Sequence, residues 1–193
     1  MATSRPNFIV GIGGSAGGLR AYESLLAALP GRLGMAYVFV THMQPSANSM
    51  LAQLLSKRTK MPVAVASAAM PIEANHVYVI PPDSDLLIEN DAFKIVSPRT
   101  KRNAQVDVFL ISLSEAMGAR AIGIILSGYD GDGTEGCKHI KAKGGTTFAQ
   151  DLSAEVGDMP RSACASGFVD FVLPPDGIPK ELKRLARAAR TEP

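Results

Sequence analysis

Three residues of this 193-residue chain have the chemical types of a nucleophile, a base and an acid: Ser15, His42 and Asp132. Ser15 is the only hydroxyl in VGIGGSAGGL (Val10 to Leu19), a stretch that holds five glycines. Gly13 to Gly17 match G-x-S-x-G, where a tight strand-to-helix turn keeps a serine exposed and bulky neighbours would strike adjacent backbone. The helix start behind such a turn aims backbone N–H groups at a developing anion. The same stretch fits G-x-G-x-x-A through Gly11, Gly13 and Ala16, a variant of the dinucleotide fingerprint. That reading wants a carboxylate at the end of the second strand, where the chain has Thr41-His42-Met43. A loop that serves only close helix–strand packing is the third reading.

His42 leaves a strand expected to neighbour the first, which would bring its imidazole near the Ser15 turn. Taken singly, a histidine at a strand end is a structural residue more often than a chemical one. His76, ahead of a hairpin, and His139, within a helix, are read as structural. Asp130 and Asp132 lie in LSGYDGDGTEG (Leu126 to Gly136). D-x-D-G suggests a fragment of a calcium loop, but the further acidic ligands are missing, and a phosphoryl-transfer site would lack its P-loop lysine. For Asp132 the structural alternative is an N-cap on the following helix. Together the three types compose a hydrolytic triad in which serine attacks, histidine takes its proton and aspartate orients the imidazole. The order Ser15, His42, Asp132 is not that of α/β-hydrolases, trypsin or subtilisin, so the α/β-hydrolase family is not its home.

The elements that must position these groups alternate. Asn7–Ile12 reads as a buried strand and Leu19–Leu29 as a helix ended by Pro30-Gly31. Ala36–Thr41 is the next strand, Asn48–Lys57 the next helix, and Pro62–Ala66 a short strand. HVYVIP and DLLIEN-D-AFKIV read as strands, with Asn90-Asp91 as a hairpin turn. A helix over Val106–Met117 leads to AIGIILS, a helix over Asp132–Lys143 stops at Gly144-Gly145, and Thr146–Ala149 and Phe168–Leu173 are the last strands. Lys180–Arg190 is a basic terminal helix, and Ser97–Gln105 is expected to be a mobile surface loop. This pattern predicts an α/β fold: a doubly wound, mostly parallel sheet with helices on both faces and an antiparallel β-hairpin. Ligands of such sheets sit beyond the carboxyl ends of the strands, near a switch in strand order.

With 46% hydrophobic and 20% charged residues the chain is an ordinary globular one, expected to form one domain over 1–193 with its core at about 7–174. A formal net charge of +2 argues against a dedicated nucleic-acid binder. The N-terminus lacks the pattern of a signal peptide and no apolar run approaches ~20 residues, so a cytoplasmic protein without membrane insertion is expected. Cys137 and Cys164 have no metal-type spacing and read as thiols of a reducing compartment.

IGGSAGG, THM, DVFLISLSEAMGARAIGIILSGYDGDGTEG, GGTTFAQD and DMPRSA, in that order, resemble the catalytic domain of the chemotaxis protein-glutamate methylesterases, the CheB family, from about Phe8 to Pro174. HVYVIPPDSDLLI and GFVDFVLPP look closest to esterase modules fused to chemotaxis methyltransferases. The resemblance implies hydrolysis of glutamate γ-methyl esters on chemoreceptor cytoplasmic helices, with glutamine deamidation in some members. It implies Ser15 as nucleophile, His42 as base, Asp132 as third member, Ala16 and Tyr129 at the oxyanion rim, and no cofactor or metal. Members often carry alanine and threonine around the nucleophile, where this chain has Gly14 and Ala16. Their T-G-M-G-x-D-G loop here reads S-G-Y-D-G-D-G, which introduces Tyr129 and Asp130, and their YGMP reads VGDMP. With the first strand expected from Asn7, no receiver domain like that of response-regulator esterases is expected in this sequence, which implies stand-alone action, a separate regulatory partner, or a piece of a longer protein.

Two other readings stand beside this one: a catalytically silent docking module of the same fold, and a nucleotide-binding Rossmann-like protein. For steering a Glu-rich receptor, the candidate cations are Lys57, Arg58 and Lys60; Arg99, Lys101 and Arg102; and Lys183, Arg184, Arg187 and Arg190, each otherwise a solvated surface charge. The glycines around Ser15 are expected to leave room for a substrate backbone and an oxyanion.

Overall fold

The computed structural model describes residues 4–42 and 45–189, with 45–49 given as helix backbone. In chain order the elements are β1 (Phe8–Gly14), α1 (Gly18–Ala28), β2 (Met35–Thr41), α2 (Pro45–Ser56), β3 (Val63–Val65), β4 (Val77–Val79), β5 (Asp85–Glu89) and β6 (Ala92–Val96). They continue with α3 (Gln105–Met117), β7 (Ala121–Ile125), α4 (Thr134–Ala142), β8 (Thr146–Gln150), α5 (Asp158–Ala165), β9 (Phe171–Leu173) and α6 (Ile178–Ala188). Seven strands form one parallel sheet in the order β3-β4-β2-β1-β7-β8-β9, and β5 and β6 form a separate antiparallel pair.

Strands buried on both faces read as continuous apolar runs, and β1, β2 and β7 are buried at every position. Alternation then sorts their side chains into two cores. Val10, Ile12, Tyr37 and Phe39 pack with α1, α2 and α6, whereas Ile9, Val38 and Ile125 pack with α3, α4, α5 and the hairpin. Each fully buried aliphatic side chain contributes roughly 1.5–3 kcal/mol. Gly11 and Gly13 of β1 are where α3 comes closest: a Cβ on Gly11 would strike Leu110 and Phe109, and one on Gly13 would strike Val106.

The doubly wound parallel sheet and the hairpin are as the sequence predicts, with three differences. VYV joins the main sheet as β4, so His76 directly precedes a parallel strand of that sheet, ahead of the hairpin. α5 lies in a segment to which the sequence reading assigns no element; its Pro160 falls in the first turn, where the missing N–H costs no helical bond. The loop after β6 is pinned rather than loose: Thr100 donates through N and Oγ1 to Asp85 Oδ2 at 2.8 and 2.6 Å, and Arg99 pairs with Asp83 at 3.3 Å. The last helix ends at Ala188, and Arg190 lies outside the described residues, as does Met43.

Candidate active site

From β1 the chain moves to β2 on one side, and β7 pairs with β1 on the other, so β1 stands at the switch in strand order. Ser15 follows β1, His42 follows β2, and Asp132 lies in the loop after β7. Three adjacent strands therefore deliver the three residues to one edge of the sheet. Ser15, Ala16, Arg20, Tyr22, His42 and Glu155 line one cleft of about 560 Å³ there.

The turn that carries Ser15 is fastened by Ser127. Ser15 N donates to Ser127 O at 2.9 Å, and Ser127 Oγ donates to Ala16 O and accepts from Val156 N, both at 2.9 Å. Gly17 lies at φ 71°, in the left-handed region that a side chain rarely enters. The other glycines make room for protein and not for ligand. A Cβ on Gly14 would meet the Tyr22 hydroxyl, and one on Gly128 would come within 3.0 Å of Ser15 N and Cβ. This corrects the expectation that the glycines leave space for substrate. It also gives a physical reason for glycine at position 14, since the buried Tyr22 ring occupies the space a Cβ would take.

Asp132 is 4% exposed and accepts three hydrogen bonds. Oδ2 receives His42 Nε2 at 2.5 Å and Val106 N at 3.0 Å, and Oδ1 receives Asp107 N at 2.8 Å. Burial pushes its carboxyl up, but the bonds from His42 and from the two backbone N–H groups outweigh that and hold it below the usual carboxylate range. An ionised carboxylate only accepts, so Nε2 is the donor to Asp132, and in the neutral imidazole this leaves the lone pair on Nδ1. Nδ1 lies 3.9 Å from Asp130 Oδ2. Among the described residues no hydrogen bond joins Ser15 Oγ to His42, although both line the cleft.

Capping runs differently from the sequence expectation. Asp132 does not cap the helix that follows it; it takes the N–H groups of Val106 and Asp107 in the first turn of α3. The first turn of α4 is served in return by Asp107, whose Oδ1 accepts Gly133 N at 2.9 Å and Gly136 N at 2.8 Å. Two aspartates thus exchange caps between adjacent helices. Sequence reasoning missed Asp107, and the partners being 26 residues apart explains why. Burial and the nearby Asp132 charge push the Asp107 carboxyl up to about 6, against the pull of the two glycine N–H groups. Its folded value is raised, so its stabilising contribution is full below the ordinary carboxylate value and is lost as pH rises through about 6. Asp107→Asn keeps the accepting oxygen but cannot titrate. Urea unfolding at pH 4.5 and 7.5 should therefore show the variant gaining stability relative to native at the higher pH, by about 1 kcal/mol after solvent screening. An unchanged difference between the two pH values would refute the raised acid.

Asp130 sits at φ 67° and its Oδ1 accepts Asp132 N at 2.9 Å, a turn that braces its neighbour. Asp130→Gly suits that backbone and should keep turnover within about tenfold of native, since the shorter bond to His42 comes from Asp132. A loss comparable to that of an Asp132 variant would instead make Asp130 the working acid.

Residues 10–182 match the family model for CheB methylesterase. The chain belongs to the CheB methylesterase family. A relative from Leptospira interrogans, by name a candidate protein-glutamate methylesterase/protein-glutamine glutaminase, is 36% identical over 178 residues, covering 90% of this chain and 92% of the relative. The Hydrogenovibrio crunogenus protein-glutamate methylesterase/protein-glutamine glutaminase is 31% identical over 192 residues, and there the match spans 95% of this chain but 51% of the relative. The crystal structure of the Thermotoga maritima CheB methylesterase catalytic domain superposes with a TM-score of 0.85 at 31% identity, covering 92% of this chain and 98% of that one.

Within this CheB-family fold the N–H groups of Ala16 and Tyr129 have no acceptor among the described residues, whereas those of Ser15 and Gly128 are engaged. The cations suggested for steering do not line the Ser15 cleft. Lys57, Arg58 and Lys60 line a separate depression with Leu29 and Gly31 at the far ends of α1 and α2. Lys183 and Arg187 border Asn7 and Gly34 at the opposite edge of the sheet, and Arg184 pairs with Glu181 at 2.7 Å. The cation that does line the cleft is Arg20, on the first turn of α1, which the sequence did not single out.

Proposed function

We propose that the chain is a serine esterase that removes methyl groups from glutamate γ-methyl esters of chemoreceptors. The observation that carries this reading is the meeting of Ser15, His42 and Asp132 at the ends of β1, β2 and the loop after β7, with His42 Nε2 on Asp132 at 2.5 Å. Ser15 Oγ attacks the ester carbonyl while His42 Nδ1 takes its proton, and Asp132 stabilises the imidazolium. The free N–H groups of Ala16 and Tyr129 receive the oxyanion. Collapse expels methoxide, which leaves as methanol with the proton from Nδ1. Water, deprotonated by the same nitrogen, then hydrolyses the acyl-serine to free glutamate. A γ-amide would follow the same course and release ammonia. Among the described residues no helix is long and apolar enough to cross a membrane.

Receptor-bearing membranes labelled with tritiated methyl groups test the reading. Native protein is expected to release labelled methanol at a rate proportional to enzyme. Release no faster than the blank would refute it and favour the silent docking module.

A further inference from the structure

Past Glu155 the Ser15 cleft adjoins a second hollow, a groove of about 660 Å³ along the loop after β8, the start of α5 and β9. Its walls carry side chains that burial would normally hide. Leu152 is 98% exposed, Tyr129 60% and Val172 52%, and all three line this groove, while exposed Leu19 lines the adjoining cleft. These are four of the six large hydrophobic side chains exposed among the described residues. Single exposed apolar residues are ordinary, but a cluster beside a candidate nucleophile marks a binding surface.

The charges on the groove that have no ion-pair partner share one sign. Asp151, Glu155 and Asp158 line it, and its only cation, Arg161, is taken by Asp158 at 2.6 Å. Asp151 and Glu155 have no ion-pair partner among the described residues. Arg20 lines the Ser15 cleft and not the groove, and it too has no ion pair there. A chain crossing Ser15 therefore passes from the guanidinium of Arg20, past Glu155, which lines both hollows, to Asp151, whose Oδ1 accepts Ser153 N at 3.0 Å.

We propose that the groove docks the substrate segment adjoining the methyl ester, and that this segment is apolar and carries a lysine or arginine that meets Asp151 and Glu155. The proposal rests on the esterase reading above. Further carboxylates of a Glu-rich chain would be repelled here and drawn to the Arg20 side, so charge fixes the direction in which the chain lies.

Two synthetic peptides test it, each with one γ-methyl glutamate, flanked by leucine and lysine in one and by leucine and glutamate in the other. With native protein the lysine peptide should show a kcat/KM at least about tenfold higher at low salt, a gap that narrows as salt is added. Leu152→Asn should raise KM for the lysine peptide about tenfold with kcat little changed, and Asp151→Lys/Glu155→Lys should reverse the charge preference. Leu152 is almost wholly exposed, so its substitution spares the core. Equal kcat/KM for the two peptides, a preference for the glutamate peptide, or an unmoved KM in both variants would overturn the proposal. So would a concentration-dependent doubling of mass abolished by Leu152→Asn, which assigns the groove to a second copy of the chain. Reaction of native Ser15 with a fluorophosphonate needs no flanking segment. Its absence sinks the esterase reading, whereas labelling together with an unmoved KM sinks the groove alone.

Discussion

Ser15→Ala is expected to lower turnover of a γ-glutamyl methyl ester by at least about 10⁴-fold, because removing the nucleophile of a working triad leaves only oxyanion binding and positioning. The fold should not register the change. Both turn bonds at this position are made by backbone, Ser15 N to Ser127 O and Gly18 N to Ser15 O, and alanine keeps the Cβ that packs against Gly128. The melting temperature should stay within a few degrees of native. Ser127, whose carbonyl holds the Ser15 turn, cannot stand in, since its Oγ is held between Ala16 O and Val156 N. A fluorophosphonate should therefore label the native protein once and the variant not at all. A variant that keeps more than about 1% of native turnover, or still labels, would show that Ser15 is not the nucleophile.

The layers of the fold were legible because β1, β2 and β7 are uninterrupted apolar runs, and a strand buried on both faces leaves no polar alternation to confuse. The candidate site was legible as three residue types at strand ends, each ambiguous by itself. What stayed hidden were relations across the sequence. No local pattern in VGIGGSAGGL says that the space at Gly14 belongs to Tyr22, eight residues on, or that the Ser15 turn hangs from Ser127. Asp107 was not singled out within the helix expected over Val106–Met117, and its work on the first turn of α4 depends on how closely those two helices pack. Gly136 allows that approach, since a Cβ there would run into Leu110. Arg20 and Glu155 likewise come to the cleft from segments 135 residues apart, joined only by the order of strands.

Asp132→Asn should act on rate and stability together, and the geometry says why they cannot be separated at this position. The native carboxylate serves three donors, two on Oδ2 and one on Oδ1. An amide has one accepting oxygen. With that oxygen toward Asp107 N, the NH₂ group faces Val106 N–H and His42 Nε2; the imidazole must then accept at Nε2 and carry its proton on Nδ1, where it cannot act as a base. With the oxygen reversed, His42 keeps its tautomer but the NH₂ group opposes Asp107 N–H, and no negative charge remains to stabilise the imidazolium. Either way turnover should fall at least about 10³-fold, and one buried N–H at the start of α3 loses its partner at a cost of about 1–3 kcal/mol. Because the native Asp132 carboxyl is held low, its stabilising contribution is present above the ordinary carboxylate value and is lost as pH falls through its folded value. The stability penalty of the variant should accordingly be largest near neutral pH and shrink in acid. Assays well below the melting transition keep the variant folded, so any remaining rate loss belongs to the chemistry of His42. Turnover within about tenfold of native under those conditions would remove Asp132 from the catalytic assignment and leave it as the cap of α3 alone.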